Sequence, residues 1–272
     1  MSNEHFRLNT IDHSANIDST RLDACHQFMP ITIEKQIAVL DRVSQDPCAN
    51  LYESLIRQIH IDSSPINPVK FFEQACEIAA HAEAASLQPV LYSTSIRNRD
   101  RAEDYVNANN DADLIYTTPV GWFLDRLELF NPDLSPLNPE FGHLLGFIGS
   151  IRFIRETAGD EVIAFTDGAK PESTFRLIEI NELEHNHLVR TINQDPKSQI
   201  YSQSTVSILE DWITAVQNAQ DAKEFSLHGN SLSAKFNMKS SEFRVISEAD
   251  QMAMRRHVVN SYLAPMLKKI SP

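Results

Sequence analysis

Cysteine is scarce in this chain. Cys25, Cys48 and Cys76 are the only three in 272 residues. An odd count without paired spacing excludes a disulfide scaffold, and the lack of any C-x-x-C argues against a structural zinc site. Cations are the minority: 24 Lys and Arg stand against 37 Asp and Glu, a net charge of −13. Binding nucleic acid needs clustered cations that displace counterions from phosphates, so no nucleic-acid partner is expected. No apolar run approaches the ~20 residues of a membrane-spanning helix. The first 20 residues are polar and mixed in charge, unlike a secretory signal, so the expectation is a cytoplasmic chain with reduced thiols. Glycine is limited to seven residues. G-x-G-x-x-G, the Walker A loop, G-x-S-x-G and H-E-x-x-H are all absent, which excludes the commonest dinucleotide, nucleotide-phosphate, hydrolase and zinc-protease signatures.

What is present is a chain with ample apolar material, 42% hydrophobic with 14 Phe. Three- and four-residue spacing of Ile33, Ile37, Leu40 and Val43, and of Leu51, Leu55, Ile56 and Ile59, predicts two helices. A third is predicted from Val69 to Ala85, after a turn at Asp62 to Pro68. Further helices are expected at Ile96–Asn107, Pro119–Phe130, Gly142–Ala158, Val206–Ala219 and Ala249–Lys269. Short apolar runs at Pro89–Tyr92, Glu161–Thr166, Ser173–Ile180, Ile200–Ser202 and from Phe225 read as strands, with a hairpin over Ala234–Ile246. The reading is an α/β (α+β) protein. Residues 1–135 form a mainly helical lobe. Residues 136–272 form an α/β lobe with a small, mostly parallel sheet flanked by helices, and the Pro-rich stretch at 131–139 marks the boundary.

Three groups of residues could carry chemistry. Glu179 comes late in an apolar segment, where a carboxylate is costly unless it is paired or lines a cleft; an outward-facing position on an edge strand is the ordinary alternative. Ser93, Thr94 and Ser95, followed by Arg97 and Arg99, could hold a pyrophosphate at a helix N-terminus, or could be a plain cap with solvated arginines. Tyr92, Trp122 and Phe147 could stack a flat ring, or could be core. Gly121 and Gly146 adjoin two of them, which would let a ligand approach closely. His185 and His187 resemble half a metal site without a third ligand, so no metal is expected.

Several segments, taken in order, resemble the ADP-ribosyl cyclase / cyclic ADP-ribose hydrolase family. They are Ser150 to Gly159, then Val162 to Gly168, then Ser173, Thr174 and Phe175 leading to Glu179. Upstream, Val90 to Ser93 looks like the family's Leu-Trp-Ser segment, and Thr118 to Trp122 with Asp125 looks like its Thr-Leu-Leu-Gly-Tyr helix. The resemblance runs from about residue 48 to 230. It implies that Glu179 is the catalytic carboxylate and that Ser150 contacts the reacting ribose. It also implies that Tyr92, Trp122, Phe147 and Phe175 wall the substrate, that Ser93 and Arg97 bind its phosphates, and that the active site lies in the cleft between the lobes. The departures are the missing disulfides, Ile66 where a cysteine would stand, and Tyr116 where the family has a carboxylate that influences cyclisation.

What the resemblance implies is an NAD glycohydrolase or ADP-ribosyl cyclase. NAD or NADP would be its substrate rather than a resident cofactor, and ADP-ribose or its cyclic form the product. Nicotinamide leaves from a ribose that develops positive charge, and a fixed carboxylate stabilises that charge. Because unchecked NAD loss is destructive, an effector or toxin role, delivery into a target cell and a regulatory or inhibitory protein partner are further expectations. Two alternatives stay open. One is a mono-ADP-ribosyltransferase of the Arg/Ser-Thr-Ser/Glu class, using Ser93 to Ser95 with Glu182 and Glu184. The other is a non-catalytic binding protein that kept the fold.

Overall fold

The structure is a computed structural model. It describes residues 32–60, 67–93, 96–127, 139–157, 161–167, 173–186, 191–193, 206–220 and 247–270. The strands expected at Ile200–Ser202 and from Phe225, the hairpin at Ala234–Ile246 and the turn near 62–66 lie outside these residues.

Helices α1 (Ile33–Gln45), α2 (Ala49–His60) and α3 (Pro68–His81) open the described chain. Local chemistry sets their starts. Thr32 accepts from the Lys35 amide to begin α1, and Asn67 accepts from the Lys70 amide to begin α3, with Pro68 in the first turn. Strand β1 (Gln88–Tyr92) follows, then α4 (Ile96–Ala108) and the short strand β2 (Ala112–Asp113). A single 3-10 turn (Ile115–Thr117) leads into α5 (Pro119–Arg126), which Thr118 caps. Helix α6 (Pro139–Glu156) and strand β3 (Glu161–Phe165) come next. A π-helical turn (Phe175–Glu179) runs into α7 (Ile180–Asn186) and then strand β4 (Thr191–Asn193). Helix α8 (Val206–Asn218), α9 (Glu248–Val258), a second π-helical turn (Val259–Leu263) and α10 (Ala264–Ile270) complete the described chain.

The four strands form one sheet in the order β2-β1-β3-β4, and every pair is parallel. Side chains alternate across it. Leu91, Val162 and Ala164 face the larger core, built with α3, α6, α7 and the C-terminal helices. Val90 and Ile163, with Tyr92 and Phe165 packed alongside, face a smaller core under α4 that also holds Ala102, Val106 and Leu114. The mixed α/β class and the small parallel sheet flanked by helices agree with the sequence reading.

Two details differ. The sheet does not respect the expected lobe boundary at residue 135: β1 and β2 precede it, β3 and β4 follow it, and β1 pairs directly with β3. The segment Ser173–Ile180, read as a strand, is helical instead. Its alternation of Phe175, Leu177 and Glu179 mimics a strand, but every residue from 175 to 183 except half-buried Arg176 is buried. A helical segment buried nearly all round is a core helix, for which periodicity gives no directional signal.

One glycine is dictated by packing. A Cβ on Gly121 would sit 2.0 Å from the Ile115 carbonyl oxygen and 2.3 Å from the Tyr116 Cα. Only a bare backbone lets α5 fold back onto the turn that precedes it.

Candidate functional site

The chain leaves β1 towards β2 on one side, and β3 lies on the other. At such a reversal the loops beyond the strand C-termini diverge and leave a crevice, the usual ligand position in open parallel sheets. Buried polar residues Ser93, Asn98 and Thr166 lie at or next to that edge. Backbone pairing continues past the strands there, with the Ser93 amide donating to the Phe165 carbonyl at 3.1 Å. Asn98, almost fully buried, donates from Nδ2 to the Ser93 carbonyl at 2.7 Å and to the Asp167 carbonyl at 2.9 Å. One amide thus ties the end of β1 to the end of β3.

On the side of the larger core stand Ser150 and Glu179. Ser150, in the fourth turn of α6, donates from Oγ to Glu179 Oε1 at 3.0 Å. The π-helical turn presents Glu179 at its last position, where the Ile180 amide bonds back to the Phe175 carbonyl. Such wide turns recur at functional sites because they displace one residue from the regular winding. Glu179 is 8% exposed, and its second oxygen, Oε2, is buried with no partner. Burial raises its pKa to about 7, against the opposing pull of the Ser150 hydrogen bond. A carboxylate held by one oxygen and bare at the other, titrating near neutrality, is arranged to meet something other than the protein.

On the α4 side stands an aromatic and ionic cluster. The Tyr92 and Tyr116 rings meet edge to face, 6.4 Å between centroids. Tyr116 donates to buried Glu103 at 2.8 Å, and Arg99 Nε lies 3.3 Å from the same carboxylate oxygen. Burial raises the Glu103 pKa, while the Tyr116 hydrogen bond and the Arg99 charge oppose the rise. Burial pushes the Tyr92 phenol up to about 12. Arg99 favours its ionisation, and Glu103 and Glu179 oppose it. Glu103 and Glu179 therefore both lie within electrostatic reach of one phenol, which links the two faces of the site over the sheet edge.

Of the residues expected from the sequence, Glu179 and Ser150 are in contact, and Tyr92 is within the field of Glu179. Ser93 sits buried at the same strand edge. Arg97 is exposed in the first turn of α4. Arg99 is the arginine of that turn drawn into the cluster. Trp122 is half-buried, edge-on to Tyr52 at 6.1 Å with the Arg126 guanidinium 5.3 Å from its ring centre. Phe147 and Phe175, 0% and 2% exposed, are members of the larger core, so neither ring offers an open face for stacking. Glu103, Asn98 and Tyr116 joined the site without having been singled out as site residues. The Arg99-to-Glu103 spacing of four residues on a helix was the one signal that could have paired them.

Among the described residues, no group of three or more His, Cys, Asp or Glu side chains could hold a metal ion. None of the described helices is long and apolar enough to cross a membrane. Comparisons with protein-family models, with curated proteins and with solved structures find no match to this chain.

Proposed function

We propose that this protein is a glycosidase of nicotinamide dinucleotides, cleaving the bond between nicotinamide and ribose in NAD to release ADP-ribose. The observation that carries the reading is the Ser150–Glu179 pair: a buried carboxylate, fixed at one oxygen and bare at the other, within electrostatic reach of Tyr92 at the end of β1. The resemblance to the ADP-ribosyl cyclase family rests on segments that include both of these residues.

The chemistry follows from charge. In NAD the pyridinium nitrogen is positive, and cleavage passes its bonding electron pair to the departing nicotinamide. Positive charge then develops on the ribose. Ionised Glu179 stabilises that charge through its free oxygen, while Ser150 holds the other oxygen in place. Water adds to the anomeric carbon and loses a proton, giving ADP-ribose. The low-polarity surroundings that raise the Glu179 pKa also strengthen its attraction for a cation. Tyr92, whose phenol lies within reach of the Glu179 charge, is the nearest aromatic candidate to contact the substrate. The transferase alternative is less well supported: Glu182 lies in α7, fully buried and paired with Arg155, so it is already neutralised.

Incubation of the purified protein with NAD is expected to liberate free nicotinamide. Glu179→Gln is expected to lower that rate by about 10²–10³-fold or more, as removal of a preorganised charge does. NAD left intact by the wild-type protein over hours at micromolar concentration refutes the proposal.

A further inference from the structure

A further unpartnered polar atom stands next in the chain to Phe165, the strand partner of Tyr92, whose phenol feels the Glu179 charge. Thr166, the residue that follows β3, is 1% exposed, and its Oγ1 is buried with no partner. A buried hydroxyl without a hydrogen bond is uncommon in a folded protein and destabilises it. Strand alternation indicates its direction. Val162 and Ala164 face the larger core, and the Ser93–Phe165 backbone bond keeps the pairing intact to this point, so Thr166 continues that series. That is the core to which the residues around Ser150 and Glu179 belong, including Phe147, Ile151, Phe175 and Ile178. Space is available on the same wall. Gly146 precedes Ser150 by one helical turn, on the same face of α6, and a Cβ built there meets nothing within 4 Å.

We propose that Thr166 is a ligand-contacting residue: its hydroxyl and the free oxygen of Glu179 together hold hydroxyl groups of one sugar. The chemistry of the two orphans selects the partner. Ionised Glu179 only accepts hydrogen bonds, whereas Thr166 can donate or accept. A ribose, with hydroxyls on adjacent carbons, can donate to the carboxylate from one and bond Thr166 through the other. A purely apolar ring would leave both protein groups unsatisfied. The inference rests on the glycosidase reading and assigns the sugar subsite within it.

Thr166→Val keeps the side-chain shape and deletes only the hydroxyl. It is expected to lower kcat/KM for NAD by roughly 2- to 12-fold, the range that one neutral hydrogen bond carries. The melting temperature of the ligand-free protein is expected to stay the same or rise, because an unsatisfied group has been removed. Thr166→Ser is expected to retain the wild-type rate. The penalty of Thr166→Val is expected to vanish on one of two NAD analogues that lack the 2′- or the 3′-hydroxyl of the nicotinamide ribose. An unchanged kcat/KM overturns the inference while leaving the glycosidase reading standing, and so does a lower melting temperature or a full penalty on both analogues. Absence of any NAD cleavage by the wild-type protein overturns both.

Discussion

Replacing Glu179 with Gln should make the protein more stable, and only on the alkaline side. The carboxyl is buried, and its pKa is raised from an ordinary 4.5 to about 7. Below pH 4.5 the group is protonated both folded and unfolded, so it contributes no pH dependence. Between those two values the unfolded chain ionises while the folded one stays protonated, and stability falls as pH rises. Above about pH 7 the loss is complete. At about 1.4 kcal/mol for each tenfold change in proton affinity, the cost of holding this charge is roughly 3 kcal/mol. Gln carries no charge and keeps an oxygen that can accept from Ser150. Glu179→Gln is therefore expected to gain roughly 3 kcal/mol over wild type at pH 8, a rise of roughly 5–10 °C in melting temperature for a chain of this size. Near pH 4 the gain should be close to nothing. Thermal unfolding of both proteins from pH 4 to 8, with the two-state assumption checked at each end, measures the difference. A gain that does not grow with pH, or a loss at pH 8, would show that Glu179 is solvated or paired and would remove the basis for its proposed role. The same substitution should then raise stability while removing activity, the trade-off expected of a site strained for function.

Two further outcomes follow. Ser150→Ala removes the hydrogen bond that holds the Glu179 pKa down. The rate of nicotinamide release should fall roughly 10- to 100-fold, and the activity, which rises as Glu179 ionises, should shift its midpoint to higher pH in a pH–rate profile. Gly121→Ala forces a methyl into the Ile115 and Tyr116 backbone and should cost at least about 1–3 kcal/mol, read as an earlier denaturant midpoint with an unchanged slope.

The helices were legible in the sequence because their apolar faces recur at three and four residues and their starts carry Thr, Asn and Pro in the right places. Helices α1, α3, α4, α6 and α8 fall within a few residues of their expected bounds. Strands β1 and β3 were visible as short apolar runs, but their pairing was not, since a parallel register joins residues some 70 positions apart, such as Val90 and Ile163. The helix that carries Glu179 was misread because total burial erases the polar face that periodicity depends on. Resemblance alone assigned Ser150 and Glu179 to one site, and it did not foretell the hydrogen bond between them. Composition and spacing favoured neither partner. Glu103 was legible only through its four-residue spacing from Arg99, and Thr166 not at all: a carboxylate on a polar helix and a hydroxyl after a strand are ordinary until their burial is known.

The direct pairing of β1 with β3 bears on how this chain can be cut or recombined. A break in the Pro-rich stretch at 131–139 would give two pieces, each carrying half of the sheet with one strand stripped of its neighbour, Val90–Tyr92 of one and Ile163–Phe165 of the other losing their shared ladder. Bare strand edges invite self-association, so neither piece is a transplantable module. Mixed together, the same edges are complementary to each other, which makes reassembly from fragments the natural route by which a divided chain could recover its sheet.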